Sequence, residues 1–322
     1  EGRARTRWGW HALALAAYAA TALVVSWHGT DLRRDVLGAG TDPFIYTWFF
    51  AWWPYALSHH LNPFYTYLLW QPGGLNLGWT TSIPVLAFLA FPITATLGPL
   101  LAYDSLMLAA PVCAGISAYA LCLYLCRRPG PALLGGWIFG FSSFAAAHLN
   151  QQLNLEWDVL LPLLALVGLR RLQNEAGSWT TILCLALLLA LQAGMSLELC
   201  ATSCLFAGLS WLLAFWLLPL WRGRLWRLAW DVMLAAPLTI CLLSPMLWAM
   251  FGQPHDMSLP KMWPEFFATD PLNFVFPTVS SRLGGQAFLP LTSHFAGLVC
   301  EQAGYLGLPL LSYIPQVACR LT

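Results

Sequence analysis

Asp42 stands beside Pro43 near the head of TDPFIYTWFFAWWPYALSHHLNPF, a run from Thr41 crowded with Trp, His and Asn. The run is too polar for a lipid-facing span and too apolar for an ordinary soluble loop. It reads as a helix lying on a membrane surface with an acid held beside it. Two roles are open to that carboxylate. It can cap the helix start by accepting backbone N–H bonds, or it can face outward as a general base. A second pair of acids, Glu156 and Asp158 in HLNQQLNLEWD, has acid–x–acid spacing. Hard oxygens so spaced can share Mg2+ or Mn2+. A helix N-terminus, where negative charge is favoured, explains the same pair. Lys261 is the one lysine of the chain. In a stretch that also holds His255, Glu265, Asp270, Arg282 and Glu301, it is either a cation that meets a phosphate or an exposed surface residue.

These groups must be held by an unusually apolar chain. Hydrophobic residues make up 59% and charged residues 9%, against roughly 25% charged in soluble domains. Several apolar runs are long enough to cross a hydrocarbon core about 30 Å thick. The chain is therefore expected to be an all-α integral membrane protein. Eighteen Trp suit interfacial belts. The cysteines lie mostly inside apolar runs without metal spacing and read as small buried hydrophobes. Arg3, Arg5 and Arg7 before Trp8–His28 allow a signal peptide or an uncleaved first span; the length of the apolar part favours the span. The chain has no initiator Met and stops just after another apolar run, Tyr305–Ile314, has begun, so it reads as part of a longer protein.

Arginine position gives the topology. The clusters are Arg3/Arg5/Arg7, Arg127/Arg128, Arg170/Arg171 and Arg222/Arg224/Arg227. Short cytoplasmic loops carry such clusters. All four fall on one side only if Ile83–Leu97 does not cross. That segment is short and carries Pro84 and Pro92, and proline frees a carbonyl that lipid cannot satisfy. It is expected to be interfacial or re-entrant. Residues 1–322 then form a single transmembrane domain of about seven full spans and the start of an eighth. The crossings are Trp8–His28, Leu101–Cys126, Ala132–His148, Leu155–Leu169, Trp179–Met195, Leu199–Trp221 and Leu228–Met250. Residues 29–100 form a long first outer loop with surface helices, and 251–304 a late outer loop.

With this choice most carboxylates, among them Asp42, Asp104, Glu156, Asp158 and Glu198, fall together on the outer side. Acids at membrane depth are functional candidates by default, although outer loops avoided by Arg can also simply fill with acids. In the first outer loop Trp52, Trp53 and their aromatic neighbours, with Asn and Gln, can offer a sugar both ring faces and hydrogen bonds; they equally suit packing on lipid headgroups. No P-loop, GxGxxG after a strand, HExxH or GxSxG occurs. ATP and soluble dinucleotides are not supported. His59 and His60 are adjacent, and no i,i+4 His pair suggests zinc. No nucleic-acid partner is expected.

The layout resembles the GT-C superfamily of membrane glycosyltransferases, and more closely the YfhO-type bacterial membrane proteins. Four features carry the resemblance: Asp42 in GTDPFIYTWFF shortly after the first span, surface helices in a long first outer loop, Glu156-Trp157-Asp158 in the second, and the late runs DPLNFVFPT and EQAGYLGLPLL. The resemblance implies an inverting enzyme of the bacterial inner membrane. Its N-terminus would be cytoplasmic and its site outward. It would transfer a sugar from a polyprenyl-phosphate donor to a lipid or glycan acceptor among membrane lipids. Asp42 would be the base or a metal ligand. Lys261, Arg282 or a metal on Glu156/Asp158 would meet the developing phosphate charge, with His255 a weaker candidate. Trp52, Trp53 and Glu301 would contact substrate. The rival reading is a transporter or flippase with Asp104 and Glu198 as pathway residues, for which inverted repeats or broken helices would be evidence.

Overall fold

The computed structural model describes residues 2–27, 29, 31–32, 34–38, 40–149, 151–252, 264–281 and 284–307. The elements are almost all helical: α1 (Gly2–Ser26), α2 (Asp42–Ser58), α3 (Pro84–Leu97), α4 (Pro99–Cys126), α5 (Pro129–Gly140), α6 (Ser143–His148), α7 (Leu153–Glu156), α8 (Leu160–Leu172), α9 (Ser178–Met195), α10 (Leu197–Leu217), α11 (Arg222–Leu242), α12 (Ser244–Gly252) and α13 (Leu289–Thr292). One short antiparallel hairpin, β1 (Tyr65–Thr66) with β2 (Leu75–Asn76), pairs Tyr65 with Asn76 and Thr66 with Leu75.

Among the described residues six helical stretches are long and apolar enough to cross a membrane: Trp8–Ser26, Pro99–Cys126, Pro129–His148, Ser178–Met195, Leu197–Leu217 and Pro219–Leu242. The sequence reading has seven crossings; Leu155–Leu169 is not among these six stretches because its helix is short, although the segment still runs from the acidic end at Glu156 to the arginine-rich end at Arg171. The chain leaves helical geometry at Trp157, and α8 starts only at Leu160. Its 13 residues reach about 20 Å. The 14 residues of α3 reach about 21 Å, also short of a bilayer core. The eighth run, 305–314, lies mostly outside the described residues.

The chain divides into two compact units, residues 1–140 with 150–255, and residues 141–149 with 256–322. In the first, α4 is the central post, packed by α1, α2, α3, α5 and α8. Glycines let α5 lie close on α4: a Cβ on Gly136 would meet the Gly115 carbonyl oxygen at 2.5 Å, the small-residue packing typical of membrane helices. Ile182, Leu185, Ala186 and Ala235 form an apolar cluster joining α9 to α11, with Leu164 and Val167 of α8 against it. By contrast α10 leaves Leu205, Phe206, Leu209, Leu212, Leu213 and Trp216 exposed, a surface stable against hydrocarbon and unstable in water. Cysteines correct one expectation here: Cys200 is buried, whereas Cys126, Cys204 and Cys241 are exposed.

Polar residues bind the two ends of this unit. At one, Tyr124 donates to Gln173 and Glu175, Arg224 to the Leu172 carbonyl and Arg227 to Asn174. Buried Asp231 there accepts from Arg171 and Ser178. At the other, the Leu37 N–H donates to Asp104 at 2.7 Å and Tyr46 reaches Asn154. Asp104 and Tyr124 lie on one continuous helix, about 30 Å apart along its axis.

The second unit is stapled by two amides. Asn273, fully buried, accepts from Gly304 N at 2.6 Å and donates to the Phe276 carbonyl. Gln302 donates to the Phe295 and Ala296 carbonyls, and its own carbonyl accepts from Thr278.

Candidate functional site

The site grows from the head of α2. Thr41 is the N-cap and makes no side-chain bond to the helix; Asp42 is the first helical residue, followed by Pro43. Proline suits that position because its missing N–H was unpaired anyway. Of the two roles open to Asp42, the capping one is therefore not the one observed. Its carboxylate is half-buried, sits in the favourable first turn, and makes no side-chain hydrogen bond among the described residues.

One turn along, Tyr46 is buried, and its hydroxyl donates to Asn154. Its ring stacks on Tyr103 with centroids 6.1 Å apart and planes 11° off parallel. Burial pushes the Tyr46 phenol above its ordinary range, and the charges of Asp42 and then Glu198 add to this, against the opposing bond to Asn154. Asp104 is fully buried; its second oxygen and the Tyr103 hydroxyl have no partner among the described residues.

Asn154 sits on α7, two residues before Glu156. Glu156 is buried and its Oε1 has no partner among the described residues; the same holds for Asp158 Oδ1 and Gln192 Oε1. Gln192 Nε2 holds the Trp157 carbonyl at 3.3 Å. Burial, and then the charge of Asp158, push Glu156 well above the usual carboxylate range. Burial raises Asp158 to about 7, against a backbone hydrogen bond that lowers it. The unpaired atoms here are mainly oxygens, so the site accepts protons or a cation rather than an anion. Among the described residues no group of three His, Cys, Asp or Glu side chains could hold a metal. The Glu156/Asp158 pair fits Mg2+ or Mn2+ only as a partial donor set completed by water or phosphate.

Next to Asn154 lies a cleft of 370 Å³ lined by Trp79, Thr81, Ser196, Glu198 and Met250. The Ser196 side chain caps α10 by accepting from Leu199 N. Gly194 forms its wall because a Cβ there would meet Val85 Cγ2 at 2.5 Å. Asn76 and Trp79 pin the hairpin to the end of α12 through the Ala249 and Met250 carbonyls at 2.8 and 2.6 Å.

Of the three tryptophans of α2, the adjacent Trp52 and Trp53 are equally buried but face different surroundings. Trp52 lines a separate 580 Å³ cleft with Tyr55, Asn62, Tyr65, Tyr67 and Gln71, a mixture of aromatic faces and amides. Its ring stacks on Trp48 at 5.4 Å, and its N–H donates to the Pro63 carbonyl. Trp53 packs against Phe64 and Phe88 with its N–H on the Ser82 carbonyl at 2.8 Å, so the polar atom of each of these two rings is already engaged.

Asp42, Tyr46, Asn154, Glu156 and Asp158 thus belong to one neighbourhood of the first unit. Glu301 is in the second unit, half-buried, at the end of a short 3-10 turn. Lys261, His255 and Arg282 lie outside the described residues. Sequence reasoning missed Tyr46, Tyr103, Asn154 and Gln192. Tyr46 could have been found from its i,i+4 spacing to Asp42, and Asn154 from its place in the polar LNQQLNLEWD run. Compared with protein-family models, curated proteins and solved structures, the chain matches none of them.

Proposed function

We propose that this helical membrane protein is an inverting glycosyltransferase of the GT-C kind, in a bacterial inner membrane with its acidic end outward. It would move a sugar from a polyprenyl-phosphate donor to a lipid or glycan hydroxyl. The observation that carries the reading is the gathering of Asp42, Asp104, Glu156 and Asp158 around the Tyr46–Asn154 bond, at the end opposite the arginines. In this mechanism Asp42 removes the proton from the acceptor hydroxyl as its oxygen bonds to the anomeric carbon. The bond from that carbon to the phosphate oxygen breaks on the opposite face. The leaving lipid phosphate needs no general acid, because its basicity is low. The resemblance assigns the neutralising of its charge to Lys261 and Arg282, with His255 a lesser contributor; all three lie outside the described residues. A divalent ion on Glu156 and Asp158 would supply the same neutralisation. The Trp52 cleft of the first unit would hold substrate.

A transporter or flippase is the second reading, favoured by the helix break at Trp157 beside buried Glu156. One experiment separates the two. Asp42→Asn is assayed for sugar transfer in membranes from a strain lacking the gene. Loss of transfer by about 100-fold or more at unchanged expression is the expected outcome for a base. Unchanged transfer removes Asp42 from that role, and substrate counterflow without any transfer supports transport. Cysteine labelling at position 128 tests the orientation: reaction from the outer side reverses it.

A further inference from the structure

The contact between α1 and α4 is tight at one level and open at another. At Tyr18 the helices touch: the ring is fully buried, and a Cβ on Gly115 would come within 3.0 Å of it. Toward the arginine-rich end a 560 Å³ apolar groove lies between them, walled by Leu15, Ile116, Ala120 and Leu123. A 470 Å³ pocket continues it, sharing His11, Tyr119, Leu123 and Tyr124. There the lining changes in kind, adding Trp10, Arg127, Arg170 and Glu175. From Ile116 to Arg127 is about 16 Å of helix, close to half of a hydrocarbon core about 30 Å thick. That is the depth of one leaflet.

Charge and hydrogen bonding indicate the occupant. Two arginines against one glutamate leave the pocket a net positive charge. Glu175 is already engaged by Arg170 at 3.9 Å and by the Tyr124 hydroxyl at 2.9 Å, whereas Arg127 has no ion pair among the described residues. Tyr119 borders both cavities and is 3% exposed, yet its hydroxyl has no hydrogen-bond partner among the described residues. The ring of His11 lies edge-on against it at 5.6 Å. A buried hydroxyl without an acceptor is unfavourable by about 1–3 kcal/mol, and an ester or phosphate oxygen would relieve it.

We propose that this groove and pocket bind one monoanionic phospholipid. Its phosphate sits by Arg127 and Arg170, the Tyr119 hydroxyl donates to an ester or phosphate oxygen, and one acyl chain lies between α1 and α4. The site is independent of the transfer chemistry at the other end.

The test is native mass spectrometry of the protein purified in detergent. It is titrated with phosphatidylglycerol and with phosphatidylcholine of the same chains. One phosphatidylglycerol is expected to be retained about tenfold or more tightly than phosphatidylcholine, and R127Q/R170Q removes that preference, at about fivefold per arginine. Ala120→Phe, which fills the groove without altering charge, weakens both lipids. Tyr119→Phe weakens phosphatidylglycerol without lowering the melting temperature, since its hydroxyl holds nothing in the protein. Equal retention of the two lipids, or the same preference in R127Q/R170Q, overturns the proposal. So does complete competition by an equal concentration of inorganic phosphate, which would make this an anion site with no acyl chain.

Discussion

The Tyr46 hydroxyl donates to Oδ1 of Asn154, and this bond couples the helix headed by Asp42 to the broken segment that carries Glu156 and Asp158. Both partners are buried, so neither can fall back on water. Tyr46→Phe leaves the Asn154 oxygen without its donor and is expected to lower stability by about 1–3 kcal/mol. Asn154→Leu strands the hydroxyl instead. Because the two share one bond, the double variant should lose clearly less than the sum of the singles. Thermal unfolding of all four proteins in detergent measures this; additive losses would disprove the coupling.

Stability should fall as pH rises through neutrality, because of the acid pair. Burial raises Asp158 from 3.8 to about 7 and lifts Glu156 well above its usual range. The folded state therefore binds more protons than the unfolded one. The contribution of these groups is fully present below about pH 4 and is lost as pH climbs, for Asp158 through about 7. Asp158→Asn should flatten the melting curve between about pH 4 and 7, and Glu156→Gln should be more stable than the parent at pH 8. Melting temperatures across pH 4–8 check both. Parent and variants that fall in parallel would show that these carboxylates are not the source.

How much of this was legible in the sequence depends on the kind of signal. Helix identity was plain for α4 and α9, where long apolar runs leave little choice. The grouping of Arg127, Arg170 and Arg224 at one end of the first unit was also legible, because loop arginines follow a simple charge rule. The start of α8 was not. Leu155 looks like the first residue of a span, but buried Glu156 and Trp157 turn the chain before the helix begins at Leu160. The roles of Trp52 and Trp53 could not be separated either. Adjacent residues on one helix face different surroundings: both rings are buried, and only the packing shows that Trp52 borders a cleft while Trp53 lies against Ser82 and Phe88. Asp104 was visible as an acid near a helix end, but its bond to Leu37 N joins residues 67 apart in sequence.

The seam between α4 and α5 should reverse an ordinary substitution rule. Glycine to alanine inside a helix normally gains up to about 1 kcal/mol. At Gly136 the added methyl would meet the Gly115 carbonyl oxygen at 2.5 Å, and backbone cannot step aside as a flexible side chain can. Gly136→Ala is expected to destabilise by about 1–3 kcal/mol. Gly130, on the same helix with nothing within 4 Å of an added Cβ, is the control and should be neutral or slightly stabilised. A melting temperature for Gly136→Ala at or above that of Gly130→Ala would mean that the helices can separate at little expense.

The arginine-rich end holds one ion pair that should matter and one that should not. Arg171 and Asp231 are 14% and 4% exposed, and Ser178 donates to the second Asp231 oxygen. Asp231→Asn leaves the guanidinium shielded and unpaired, with an expected loss of about 3–5 kcal/mol. Replacing both partners, as Arg171→Met with Asp231→Leu, should recover much of that loss, because the desolvation of two charges disappears with their attraction. Arg170 and Glu175 lie 3.9 Å apart and are 53% and 37% exposed. Water and salt weaken that pair, so Arg170→Gln should shift stability by less than about 1 kcal/mol. Unfolding at low and high salt separates the two cases. The Asp231→Asn loss should persist in high salt, where exposed pairs are screened, and a loss that vanishes there would mean the Arg171–Asp231 pair is open to solvent.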